Sequence, residues 1–222
     1  MRKSLCLILG CLLLSLAFVG ILCRAQQENG DLASILDHLK KAQSAMSDFT
    51  ADIKQVKTTS FSKEPIISRG KMRFKRPDKM WVEMYPPYPT ITVLDKGVLL
   101  IYFPDEQVAQ RYQVAGNHAL AKWLLFIQNP IETLGKKIWL QKENPGDLVL
   151  GVDPAEDLAI FREISIAIDT SLWMPKRVEL VEKNGDRTTI NYDNITINTG
   201  IPASSFKLSL PTDVEIIEPM KR

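Results

Sequence analysis

Different hydrophobic periods follow one another along the chain, and each predicts a different element. Leu5 to Leu22 is apolar with Ser15 as its polar interruption, preceded by the positive end Met1-Arg2-Lys3. Asp31 to Met46 then places Leu32, Ile35, Leu36, Leu39, Ala42 and Met46 at i, i+3, i+4, i+7 spacing, with Asp31 available as a cap. That spacing predicts an amphipathic helix whose apolar stripe needs a partner surface. From Phe49 the period falls to two, in Phe49-Ala51-Ile53, Met72-Phe74, Met80-Val82-Met84 and Ile91-Val93. Alternation of this kind predicts strands with one face turned to an interior.

The turns between these strands are short. Arg76-Pro77-Asp78, Tyr85-Pro86-Pro87, Asp95-Lys96-Gly97 and later Asn184-Gly185 suit hairpins, not crossover helices, so the sheet is expected to be antiparallel. Strands are expected over Phe49–Lys57, Ile66–Lys75, Lys79–Tyr85, Thr90–Leu94, Val98–Phe103, Gln107–Val114, Lys137–Gln141, Leu148–Val152, Ala159–Ile168, Lys176–Lys183 and Asp186–Ile195. A second helix is expected over Asn117–Gln128, with Leu120, Trp123, Leu124 and Ile127 on one face, followed by a single turn from Asn129-Pro130 to Gly135. The fold class is therefore mainly β (α+β), and a sheet of about eleven antiparallel strands must curl, leaving a concave face for two helices to cover as lid or plug.

Strand parity sets Lys71, Arg73 and Lys75 on the face opposite Met72 and Phe74. Arg76 then falls on the apolar side, where a guanidinium needs carbonyl or carboxylate acceptors; otherwise Pro77 ends the strand and Arg76 turns to solvent. Parity alone leaves both possibilities open. Met72, Met80 and Met84 join Phe74, Val82, Ile91 and Val93 on the presumed inner face. Flexible methionines suit a guest of variable shape such as an alkyl chain, although an apolar strand face is also what ordinary core requires.

Composition narrows the function classes. The N-terminal run reads as an export signal, residues 1–25, cleaved after Cys23-Arg24-Ala25; an uncleaved anchor is the alternative. Cys23 follows Leu22, where lipid modification wants a small residue, and Cys11 lies deep in the apolar run. With Cys6, Cys11 and Cys23 all inside the signal, residues 26–222 form one expected domain with no disulfide, thiolate nucleophile or cysteine metal site. Three of the 28 basic residues and none of the 26 acidic ones fall in the signal, so the remainder is near neutral and has no electrostatic reason to bind nucleic acid. His38 and His118 are too far apart in sequence to suggest a ligand set or a catalytic pair, Asp105-Glu106 reads as a solvated turn, and Asn194-Ile195-Thr196 is a weak glycosylation match. No cofactor, metal or catalytic residue is expected, and the chain is not expected to be an enzyme.

Five segments are read together: Phe49-Thr50-Ala51-Asp52-Ile53-Lys54-Gln55, Gly70-Lys71-Met72-Arg73-Phe74-Lys75-Arg76-Pro77, Trp81 to Tyr85, Asp95-Lys96-Gly97 before Leu100-Ile101-Tyr102, and Phe206-Lys207-Leu208-Ser209-Leu210-Pro211 leading to Val214. Together they resemble the LolA family of periplasmic lipoprotein carriers. The resemblance implies an incomplete barrel with helices over its mouth. It further implies a monomeric carrier that takes lipoproteins from an inner-membrane ABC transporter to an outer-membrane receptor. It turns Met72, Phe74, Met80, Val82, Met84, Ile91 and Val93 into expected acyl-chain lining, joined by Leu120, Trp123, Leu124 and Ile127 of the second helix and by Ile164 and Ile166. Arg76 looks like the family arginine that latches the lid helices and keeps the empty cavity closed. The hairpin reads Asp-Lys-Gly where Asp-Gly-Lys is commoner, and Pro86-Pro87-Tyr88-Pro89 makes a stiff rim turn. The rival within the same superfamily is an envelope sensor of lipid or peptide, or a membrane-tethered lipid-binding module.

Overall fold

The computed structural model describes residues 31–115, 135–141, 148–154 and 160–219. Within them one helix, α1, spans residues 31–45 and precedes an extended sheet. The strands are β1 (Asp48–Thr58), β2 (Ile66–Lys75), β3 (Lys79–Met84), β4 (Thr90–Asp95), β5 (Val98–Phe103), β6 (Val108–Gln113), β7 (Gly135–Gln141), β8 (Leu148–Pro154), β9 (Phe161–Asp169), β10 (Met174–Glu182), β11 (Arg187–Ile197) and β12 (Glu215–Ile217). Their order in the sheet is β12-β6-β5-β4-β3-β2-β1-β11-β10-β9-β8-β7, so the ends do not meet and the barrel stays incomplete.

Each strand expected from period-two alternation is present, with ends displaced by a few residues. The Asp-Lys-Gly hairpin forms because Lys96 (φ 51°) and Gly97 (φ 73°) both adopt left-handed backbone, as a two-residue turn between twisted strands demands. The twelfth strand is a departure. β12 pairs with β6 in parallel, Glu215 opposite Val108. Residues 198–214 carry the chain from β11 to this far edge by running across the convex side of the sheet, where Ile201 and Phe206 bury against Trp81 and Val93. The expected antiparallel sheet of about eleven strands is present, and β12 adds a short parallel strand at its edge.

α1 packs its stripe on the concave face of β8–β10. Leu39, 2% exposed, meets Leu150, Val152, Ile164, Ile166, Ile168 and Val178, with Leu32, Ile35 and Leu36 beside it. His38 stacks on Trp173 at 4.7 Å between ring centroids, fixing the helix over the β9–β10 turn. That turn is held by Asp169, whose carboxylate accepts hydrogen bonds from the Ser171 hydroxyl (2.6 Å) and amide (2.8 Å). These bonds hold the Asp169 carboxyl below its ordinary value.

The junction after α1 is tied from several directions. Asp48, 1% exposed, accepts amide hydrogens from Thr199 (2.8 Å), Gly200 (3.1 Å) and Ile201 (3.2 Å). Burial pushes its carboxyl up, but the Thr199, Ile201 and Gly200 hydrogen bonds outweigh that and hold it below the ordinary carboxylate value. Asn198 donates to the Ala45 carbonyl (3.1 Å) and accepts from the Ser47 amide (2.7 Å). The start of β1 and the end of β11 are thereby locked to the end of the helix.

Candidate functional site: the concave face of the sheet

The expected second helix, with Leu120, Trp123, Leu124 and Ile127, lies outside the described residues, as do the expected helical turn after it and the signal segment. The rest of the expected lining is divided by strand register. Gly70 pairs with Met84, Met72 with Val82, and Phe74 with Met80, which brings these side chains to one face of β2 and β3. A Cβ on Gly70 would lie 2.1 Å from the Glu83 carbonyl oxygen and 2.8 Å from the Met84 sulfur, so glycine here is what lets Met84 lie down over β2.

Along that face burial is graded. Phe74 and Met80 are fully buried with Met46, Phe49, Leu94 and Leu99 near the end of α1, and are core. Met72 and Val82 pack on the edge of this cluster and, like Met84, are only half-buried. Thr92, paired with Val82 on one side and Ile101 on the other, extends the same half-buried strip across β4 and β5. Ile164 and Ile166 share the concave side but sit beneath α1, 2% and 4% exposed. They line the part that the chain fills itself.

Ile91 and Val93 require a correction. Register pairs Val93 with Trp81 and Ile91 with Glu83, which puts both on the convex face. There Val93 is buried under Ile201 and Phe206. The more apolar face of β4 is the convex one, because the segment carrying Ile201 and Phe206 covers it, so choosing the inward side by hydrophobicity picked the wrong parity; Thr92 and Leu94 are the residues that face inward. The apolar residues Ile201 and Phe206, far along the chain and in want of a partner, were the signal that a second covered face existed. Asp48 and Asn198, which hold the helix junction, carried no recognisable spacing at all.

Arg76 resolves the ambiguity left by parity. β2 ends at Lys75, yet the guanidinium turns back, donating from Nε to the Met46 carbonyl (3.0 Å) and from Nη2 to the Gln43 carbonyl (2.9 Å). Its own amide donates to the Ser47 carbonyl at 2.9 Å. A cation among the last carbonyls of a helix satisfies acceptors that have no intrahelical donor and complements the helix dipole. At this site Arg76 joins the end of α1 to the end of β2, beside the buried base of the concave strip.

Tyr192 packs against both apolar clusters and so lies between the part under α1 and the half-buried strip. Burial pushes its phenol up to about 12, so it stays neutral over any physiological range. The described residues hold no cluster of three His, Cys, Asp or Glu able to bind a metal. A cleft of about 370 Å³ is lined by Thr50, Ala51, Asp52, Lys71, Met72, Arg73, Trp81, Glu83 and Asn194, and the charged Asp52, Lys71, Arg73 and Glu83 set it apart from the strip of Met72, Val82 and Met84. Over it the Arg73 guanidinium stacks on Trp81, 4.4 Å from the ring centroid.

A curled, unclosed, mainly antiparallel sheet with α1 in its concavity and a methionine-bearing strip beside it places the chain in the class of incomplete β-barrels. Residues 44–209 match the family model described as outer membrane lipoprotein carrier protein LolA, and the chain belongs to that family. It is 28% identical over 181 residues to an outer-membrane lipoprotein carrier protein of Bordetella avium, covering 80% of this chain and 82% of that one. A protein of the same description from Pseudomonas entomophila is 22% identical over 197 residues, covering 87% and 91%. Among solved structures, an uncharacterized conserved protein from Thermus thermophilus superposes with a TM-score of 0.57 at 11% identity, over 85% of this chain and 99% of that one, which shows a shared fold.

Proposed function

We propose that the chain is a periplasmic carrier, not a catalyst, made of a cleaved signal and one domain over 26–222, that shelters lipoprotein acyl chains on the concave face and conveys them from an inner-membrane ABC transporter to an outer-membrane receptor. Kinship with lipoprotein carriers supports the general role of binding lipid or lipoprotein. The observation that carries the reading is the half-buried strip of Met72, Val82, Met84 and Ile101, left beside a concave region that α1 already fills. Each methylene moved from water onto such a face gains roughly 0.8 kcal/mol, so several alkyl chains would be held tightly.

Release must then be built in. Arg76, by holding the end of α1 against β2, favours the closed arrangement; only the open fraction binds, so the latch lowers apparent affinity. Arg76→Leu is expected to retain lipoproteins more tightly and to deliver them poorly to acceptor membranes. Transfer as efficient as wild type would exclude the latch. The carrier reading itself is tested by mass spectrometry of what co-purifies with the periplasmic protein: acylated lipoproteins are expected, and recovery of a soluble small molecule alone would overturn it.

A further inference from the structure

Exposed apolar side chains gather at one end of the sheet. β1 and β10 finish there, and β2, β9 and β11 begin there. Phe61, in the β1–β2 loop, is 94% exposed; Ile160, just before β9, is 65% exposed; Tyr88, between β3 and β4, is 62% exposed. Ile66 and Ile67, opening β2, are each 40% exposed. Single exposed apolar residues are ordinary on protein surfaces, whereas this many at one end are not.

The end is also built to hold its shape. The Ser60 amide donates to the Asp186 carboxylate (3.1 Å), Asp186 being 6% exposed, and the Lys183 amide donates to the Ile160 carbonyl (3.0 Å). These bonds tie the loop carrying Phe61, the β10–β11 turn and Ile160 into one unit. Cations are interspersed with the apolar residues: Lys63 lies in the loop, Arg69 follows Ile67, Arg162 follows Phe161, and Lys183 bonds beside Ile160; all are exposed. None of these has an ion-pair partner among the described residues. Of the nearby acids, Glu182 is engaged by Lys57 (3.7 Å) and Glu179 by Arg187 (3.0 Å), while Glu64 in the loop and Glu163 beside Arg162 have no ion pair among the described residues.

We propose that this end of the sheet docks onto an anionic lipid surface, with Phe61 and Ile160 entering the headgroup region and Lys63 and Lys183 lying over the phosphates. A protein partner requires a continuous, desolvated patch around a hot spot, whereas a bilayer interface accepts separate side chains on separate tips, with long cations reaching up to the headgroups. Observed here are separate tips interleaved with cations. Docking adds to the carrier reading a place where cargo meets membrane, and does not depend on it.

The test is co-sedimentation of the protein, purified from the periplasm, with vesicles of phosphatidylglycerol or of phosphatidylcholine. Wild type is expected to pellet with the anionic vesicles, and Phe61→Asp/Ile160→Asp to weaken that binding by about tenfold or more. Lys63→Glu/Lys183→Glu should abolish the preference for anionic lipid. Failure of wild type to pellet, equal binding by the Asp variant, or equal binding to phosphatidylcholine would each overturn the proposal. Binding to cell-derived membranes that protease treatment removes, with none to pure lipid, would assign the surface to a protein instead. Uptake of acylated lipoprotein from detergent without vesicles, measured in parallel, should match wild type in both variants; its failure in wild type would instead overturn the carrier reading.

Discussion

The two halves of the concave face use the same chemistry for opposite ends. Under α1, Ile164, Ile166, Leu150 and Val152 are closed off by Leu39 and its neighbours, giving a core that the chain completes itself. Across β2–β5, Met72, Val82, Met84 and Thr92 remain half-buried. Branched aliphatics with few rotamers dominate the first region, methionine and threonine the second. A region completed by its own helix gains from rigid packing, while one completed by a guest gains from adaptable side chains and from not being too apolar.

The contrast is broken most directly at Leu39. Leu39→Ala removes a knob from the closed half and should cost about 3 kcal/mol of stability, read as a lower urea midpoint. Because the loss falls on packing that no guest replaces, affinity for an acylated peptide should stay near wild type. An affinity that fell in step with stability would mean that the two halves bind as one.

A smaller effect is expected at the junction that sets where α1 lies. In Asp48→Asn one side-chain oxygen becomes an NH₂ facing amide donors of the 199–201 segment, a mismatch worth about 2 kcal/mol. The sign with pH follows from the depressed carboxyl of Asp48. A group whose folded pKa lies below its unfolded one contributes stability above the unfolded value, and that contribution disappears as pH falls through the folded value. The gap between wild type and Asp48→Asn should therefore be full at neutral pH and narrow below about pH 4. Thermal unfolding over that range measures it, and a gap that widened on acidification would contradict the assignment.

These sites also show what the sequence could convey. Period-two alternation located the strands, because a sheet covered on one face repeats every second residue, and Arg76 was marked as needing acceptors before its carbonyl partners were known. β4 was misread for the same physical reason in reverse: Ile91 and Val93 alternate with Thr90 and Thr92, but the face that a later segment covers is the convex one, so the apolar side of the alternation is not the concave side. The parallel strand Glu215–Ile217 was missed because three exposed residues carry no period. Asp48 and Asn198 were missed because their partners lie about 150 residues away in sequence, where no local pattern reaches.

Thr92 gives the smallest and sharpest test of the half-buried strip. It lies between Val82 and Ile101 in register, so an alkyl chain on this strip must pass its hydroxyl. On the proposed acyl-binding reading, desolvating this hydroxyl without a new hydrogen-bond partner opposes binding and so favours release. Thr92→Val should tighten acyl binding by about three- to fivefold, equivalent to about 0.5–1 kcal/mol, while changing stability by less than about 0.5 kcal/mol. Titration with an acylated peptide and urea unfolding of the same variant separate the two quantities. If affinity is unchanged while Val82→Asp abolishes binding, the guest lies along β2 and β3 alone; if neither substitution matters, the strip is core after all and the contrast between the two halves fails.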